Sequence, residues 1–187
     1  MSKDQLRNDA LLRRHSYASA LWPATRKSLE GQLAQIVLPH LIRARIVAAY
    51  HPMKDEISPY DILDKLGPDQ RAALPWFADR DARMMFREAP AVEAGPWNVL
   101  QPSSDADVLA PDLVLVPVVL ADRQGTRIGH GKGHYDRALA HLREGGHAVR
   151  TIGIAWEHQI APNPIPADPW DQPLDAIATP AEWIQCR

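Results

Sequence analysis

An apolar run, LVLVPVVLA (113–121), leads straight into DRQGTRIGHGKGHYD (122–136), which leads into a helix-like run, RALAHLRE (137–144). Strand, glycine-rich loop and helix in immediate succession are the units of an α/β layered fold. Gly129, Gly131 and Gly133 alternate with His130 and Lys132. Arg127 stands just before them and Asp136 just after. Glycines let backbone N–H groups approach an anion because no Cβ intervenes, and cationic side chains in the same loop add charge complementarity. A helix N-terminus behind such a loop completes a phosphate cradle. The spacing is neither the Walker A pattern nor the dinucleotide fingerprint. A tight glycine turn on a sheet edge is the competing explanation, but a plain turn has no need of cations between its glycines. Asp136 has two roles open to it: compensating the positive end of the helix, or holding magnesium together with phosphate oxygens.

The flanking chain fits the same architecture. Residues 3–20 read as a helix with Leu6, Ala10, Leu11 and Tyr17 at helical spacing. A second helix, capped by Thr25 or Ser28, carries the stripe Leu29, Leu33, Ile36 and Val37 and ends or bends at Pro39. RIVAAY (45–50) reads as a buried strand, HPMKDEISP as a loop and YDILDKL as a helix. Residues 67–111 are chopped by prolines into short strands and loops, 83–88 being one candidate strand. Leu113 to Leu120 is the strongest strand, 137–144 a helix stopped by Gly145 and Gly146, and Val149 to Trp156 and LDAIAT (174–179) are further strands. Strands alternating with helices predict a three-layer, Rossmann-like α/β sandwich with a largely parallel central sheet, in one domain spanning 1–187.

Composition narrows the function. A formal net charge of -2 gives no basic field for nucleic acid. The first 45 residues lean basic, with Lys3 and Arg7 four apart on one helical face, either solvated or turned to an anion. The lone cysteine, Cys186, excludes an intramolecular disulfide and is poorly placed as a nucleophile. The longest apolar run is broken by Pro117 and is far short of the ~20 residues that span a bilayer. The N-terminus has no apolar core of the signal type, so a cytoplasmic protein without membrane or nucleic-acid partners is expected. Glu56 follows a strand, where parallel sheets place ligand contacts, though a loop acid is solvated by default. Trp97 either stacks on an aromatic ligand or caps a core. His130 and His134 are four apart without HExxH, which disfavours zinc. No nucleophile elbow is visible.

Taken together, these motifs resemble the 5-formyltetrahydrofolate cyclo-ligase (5,10-methenyltetrahydrofolate synthetase) family over nearly the full length. The strongest part is DLVLVPVVLADRQGTRIGHGKGHYDRAL. Lys3 and Arg7, HPMKDEI, WNVLQP, IGIAWEHQI and DPWDQPLDAIAT match weaker family segments in the expected order. The resemblance implies that Lys3, Arg7, Arg127 and the stretch Gly129, His130, Gly131, Lys132, Gly133, His134 and Tyr135 bind ATP, with Arg127 and Lys132 catalytic. It implies that His51, Glu56, Trp97, His134 and Tyr135 contact the folate and that Asp136 and Asp175 serve Mg2+. A monomer is expected, with a dimer as the alternative. The chain departs from the family pattern where His134 replaces a tyrosine, Val118 a glycine, Ala121 a phenylalanine and Trp170 a histidine. An imidazole at 134 still hydrogen-bonds and stacks, but it is smaller and ordinarily titrates near neutral pH.

The implied reaction joins ATP and 5-formyltetrahydrofolate to give 5,10-methenyltetrahydrofolate, ADP and phosphate, through phosphorylation of the formyl oxygen and ring closure by N10. Two alternatives stand beside it: a related ATP-dependent enzyme with another substrate, and a folate- or nucleotide-binding protein without catalysis.

Overall fold

The computed structural model describes residues 2–186. The chain runs α1 (Lys3–Ala20), α2 (Pro23–Val37), β1 (Ile46–Ala48), α3 (Tyr60–Leu63), β2 (Arg71–Trp76), β3 (Met85–Glu88), β4 (Ala91–Ala94), β5 (Leu100–Pro102), β6 (Leu113–Pro117), β7 (Leu120–Asp122), β8 (Arg127–Ile128), α4 (His134–Glu144), β9 (Arg150–Ile154), β10 (Ile160–Ala161), β11 (Ala176–Ala178) and β12 (Trp183–Gln185). Among the described residues the main sheet has the order β12-β11-β9-β6-β1-β2-β3. Its inner pairings β2·β1, β1·β6, β6·β9 and β9·β11 are parallel, and its two edges, β3 and β12, run antiparallel.

β6 is apolar throughout because both of its faces are covered. Leu113 and Leu115 pack with Leu33, Ala34 and Val37 of α2 on one side. Val114 and Val116 pack with Ala138 and Leu139 of α4 on the other. The period-two alternation of a strand thus divides one hydrophobic run between two cores and makes the sandwich three-layered. Each fully buried leucine contributes roughly 1.5–3 kcal/mol of burial energy. The first helix packs Ala10 against a third, smaller cluster with Val119, Leu120 and Ile128.

Several boundaries differ from the sequence reading. The Leu113–Leu120 strand divides after Pro117, which has no N–H to donate to a ladder. The second helix begins at Pro23, in its first turn, rather than behind Thr25 or Ser28; proline suits that position because its missing donor is unneeded there. YDILDKL yields a single turn, α3. The proline-rich 67–111 stretch holds four strands. One of them, β2, lies parallel beside β1, and the other three run antiparallel to their partners.

Chain direction decides where ligands can go. From β1 the sheet grows one way through β2, and from β6 it grows the other way through β9 and β11. The loops leaving β1 and β6 therefore diverge, and between them a crevice opens at the carboxyl ends of the strands.

Candidate active site

A cavity of about 860 Å³ fills that crevice. Its walls come from the start of α1, the loop after β1, the ends of β2 and β6, the 96–101 segment, the glycine loop with the first turn of α4, and the 168–171 segment.

The glycine loop is shaped by its own backbone. Gly131 (φ 84°) and Gly133 (φ 63°) occupy left-handed conformations, the second as N-cap of α4 with no side-chain cap. The first-turn N–H groups of α4 therefore have no capping side chain. Arg7 supports the loop from α1: its Nε donates to the Gly129 carbonyl at 2.8 Å, and a Cβ on Gly131 would stand 3.2 Å from its Cζ. Arg127 is 9% exposed and clamps the loop to its surroundings. It donates to Asp136 Oδ1 at 2.7 Å and to the Gln172 carbonyl. Asp136 Oδ1 also accepts from the Gln172 N–H at 3.0 Å. Lys3 bonds Asp168 and Asp171 at 2.6 and 2.5 Å. Burial pulls the Lys3 ammonium down, but the two aspartates more than offset it and hold it above its ordinary value. Lys132 is exposed on the cavity wall, and among the described residues its ammonium makes no ion pair.

The wall that Glu56 and the aromatic residues form beside the glycine loop is different in character. Glu56 is 4% exposed rather than solvated. Its loop is held by its backbone N–H on the Met53 carbonyl (2.9 Å), by the Tyr50 hydroxyl on the Ile57 carbonyl (2.7 Å) and by the Trp156 indole on the Asp55 carbonyl (3.0 Å). His51 is 2.7 Å from the Tyr60 hydroxyl. Phe77, Trp97 and His134 form an aromatic corner. Phe77 meets Trp97 edge-on at 5.3 Å and His134 at 4.9 Å. Trp97 has φ 60°, a costly conformation for a bulky side chain and one found disproportionately at ligand clamps. His134 is held below its ordinary imidazole value by burial, then by Arg137 and Lys132. The Tyr135 hydroxyl is pushed up by burial and then by Glu56, so it stays protonated as a donor.

All but one of the residues singled out in the sequence line this cavity. The exception is Asp175, which precedes β11 at the opposite, amino end of the parallel strands. Its Oδ2 accepts from the N–H and Oγ1 of Thr151 at 2.8 and 2.9 Å, a link between β9 and β11. Asp136, Asp168 and Asp171 are the carboxylates at the cavity's cationic end. No group of three or more metal-binding side chains exists among the described residues. One carboxylate with phosphate oxygens and water nevertheless satisfies magnesium, so Asp136 fits that ion only alongside a bound phosphate. The sequence reading passed over Phe77, Asp168, Asp171 and Arg14. Arg14 had a visible signal, because it continues the helical stripe of Lys3, Arg7 and Ala10.

A cleft at the switch point of a parallel sheet, lined by a glycine loop with cations beside it and by an aromatic, acidic corner, marks a ligand-binding α/β protein. The model of the 5-formyltetrahydrofolate cyclo-ligase family matches residues 1–180. The 5-formyltetrahydrofolate cyclo-ligase of Mycolicibacterium smegmatis is 29% identical over 98% of this chain and 96% of the relative. That of Escherichia coli K12 is 25% identical over 88% and 96%. The solved 5,10-methenyltetrahydrofolate synthetase of Mycoplasma pneumoniae superposes with a TM-score of 0.72 at 25% identity, covering 100% of both chains. That of Aquifex aeolicus shares the fold with a TM-score of 0.80 at 24% identity, over 100% of this chain and 94% of the other. The chain belongs to the 5-formyltetrahydrofolate cyclo-ligase family and is an enzyme of that kind. No helix among the described residues is long and apolar enough to cross a membrane.

Proposed function

We propose that the cavity binds ATP and 5-formyltetrahydrofolate end to end and transfers the γ-phosphoryl group to the formyl oxygen. One observation carries this reading: a single continuous cavity joins the glycine loop and its cations to the corner made by Glu56, Phe77, Trp97 and His134.

A formyl amide oxygen is a weak nucleophile, and N10 cannot expel it as oxide. Phosphorylation turns it into a leaving group: the oxygen attacks the γ-phosphorus, the bond to ADP breaks, N10 closes on the formyl carbon and loses its proton, and inorganic phosphate departs. The protein supplies alignment and charge rather than a covalent nucleophile. The loop N–H groups and the uncapped start of α4 take the phosphate oxygens. Lys132 meets the charge that spreads over the transferring group. Arg7 and Arg127 keep the loop in shape, and Lys3 draws the Asp168–Asp171 segment over the cationic end. Magnesium, when bound beside Asp136, neutralises phosphate charge. At the other end the Glu56 carboxylate accepts from N–H donors of the pterin, whose ring stacks in the aromatic corner.

The test is the absorbance of the methenyl product, with 5-formyltetrahydrofolate as substrate and ATP and magnesium each omitted in turn. Product is expected only when all three are present. Product without ATP would remove phosphoryl transfer from the scheme, and none in the complete mixture would remove the substrate assignment.

A further inference from the structure

We infer that Arg14 is a positioning residue for the folate end of the cavity and acts through Glu56. The inference rests on the reading of Glu56 given above and adds to it a residue that lies outside the cavity wall.

Arg14 projects from α1 into the protein and is 4% exposed, so its charge is out of water. Its Nη1 lies 3.4 Å from Glu56 Oε1 and 3.5 Å from the Val118 carbonyl, and its Nη2 lies 3.5 Å from His130 Nε2. The Val118 carbonyl already accepts from Gln159 Nε2 at 2.7 Å, so its hydrogen bonding does not depend on Arg14. Glu56 is the carboxylate that answers the buried guanidinium. His130 Nε2 approaches the same oxygen, Glu56 Oε1, at 3.3 Å, while Oε2 accepts from the Met53 N–H at 2.9 Å. Each carboxylate oxygen is thus held from the protein side, and the plane of the group is fixed.

Burying an ion pair is expensive, and an apolar pair would hold α1 to the 51–59 loop at least as well. What an apolar pair cannot do is present an oriented carboxylate to a ligand. Arg14 stands behind Glu56, and Glu56 and His130 face the cavity. The arrangement is a rigid acceptor braced from the rear, which lowers the ordering cost of binding.

The experiment measures dissociation constants for 5-formyltetrahydrofolate and, separately, for a non-hydrolysable ATP analogue. The proteins are the wild type, Arg14→Met, Arg14→Lys, Glu56→Gln and the double variant Arg14→Met/Glu56→Gln. In Arg14→Met the folate constant is expected to rise on the order of tenfold, while the nucleotide constant stays within about twofold. Arg14→Lys should recover part of the loss. Arg14→Met and Glu56→Gln each leave one buried charge unpaired; where either does not fold, Arg14→Lys supplies the comparison with the wild type, and the double variant leaves no unpaired charge. The double variant should match Glu56→Gln, because an effect exerted through Glu56 vanishes once that carboxylate is gone. A double variant tenfold weaker than Glu56→Gln, or an unchanged folate constant in Arg14→Met, overturns the inference alone. An unchanged folate constant in Glu56→Gln overturns the reading of Glu56 and the inference with it.

Discussion

Several cations stand in or beside the glycine loop, and the surroundings of four of them divide their labour. Lys3 is tied to Asp168 and Asp171, Arg7 to the Gly129 carbonyl, and Arg127 to Asp136 and the Gln172 carbonyl. Lys132, exposed on the cavity wall, is the cation best placed to follow charge as it develops. Lys132→Ala should therefore lower kcat about a hundredfold or more, a loss of roughly 3 kcal/mol of transition-state stabilisation, with little change in KM for the folate. Steady-state kinetics decide it, and an unchanged kcat would leave Lys132 a surface charge. Arg127→Ala should lower the urea midpoint as well, because it leaves the Gln172 carbonyl and Asp136 without their clamp. At this scale the site was largely legible, because chemistry-bearing residues with unusual spacing cluster in one loop. Arg14 was legible as a member of a helical stripe but not as a buried group, since a stripe of cations ordinarily faces water and only the fold shows what covers it. Asp175 was misplaced for a related reason: a carboxylate at a strand start lies near the ligand or far from it according to strand direction, which its local sequence does not reveal.

The glycine loop as an element can be tested by separating space from conformation. A Cβ on Gly129 would have no neighbour within 4 Å, whereas one on Gly131 would meet the Arg7 guanidinium in a backbone conformation that side chains resist. Gly129→Ala should leave the urea midpoint where it is and weaken the ATP analogue by about tenfold, some 1.4 kcal/mol, because on the proposed reading the new methyl group stands in the path of the phosphate oxygens. Gly131→Ala should weaken the nucleotide and also cost about 1–2 kcal/mol of stability. Wild-type nucleotide affinity in Gly129→Ala would take the phosphates out of this loop. Other elements were legible to the degree that they carry their own periodicity. The first helix matches its predicted limits, with a Ser2–Gln5 capping box, and β6 announced itself as an unbroken apolar run. The strands between 67 and 111 gave no such signal. RAALPW and MFRE are held by pairing with each other and by the Arg71 links to Glu88 and Asp107, contacts between residues 17 and 36 apart. Such short segments have little period of their own, and their tertiary partners define them.

Across the whole molecule, the helical layers meet the rest of the fold partly through neutral histidines, and this sets its response to acid. His158 meets Tyr17 of α1 in a tilted ring contact at 4.5 Å, with both ring nitrogens buried and unpartnered among the described residues. Its affinity for a proton is lowered by burial, then by Arg13 and Arg14. His40, just after α2, lies flat on Trp183 of β12 with ring centroids 3.5 Å apart, and burial and then Arg150 lower it likewise. In the unfolded chain both histidines take up protons near pH 6.5; in the folded chain they do so only at lower pH. Between those values the unfolded state binds more protons, so stability is lost as pH falls through that window. Glu88, lowered mainly by its bond to Arg71, acts in a separate window, since it favours the fold until pH drops below about 4.5. The urea midpoint should therefore fall between pH 7.5 and 5.5, before carboxylates contribute. The double variant His40→Phe/His158→Phe keeps both ring contacts and removes both titrations. It should be at least as stable as the wild type at pH 7.5 and fall less steeply down to pH 5.5, the remaining slope coming from His134, which burial lowers in the same direction. If its midpoint falls as steeply as that of the wild type, the acid response arises elsewhere and these two rings are only packing.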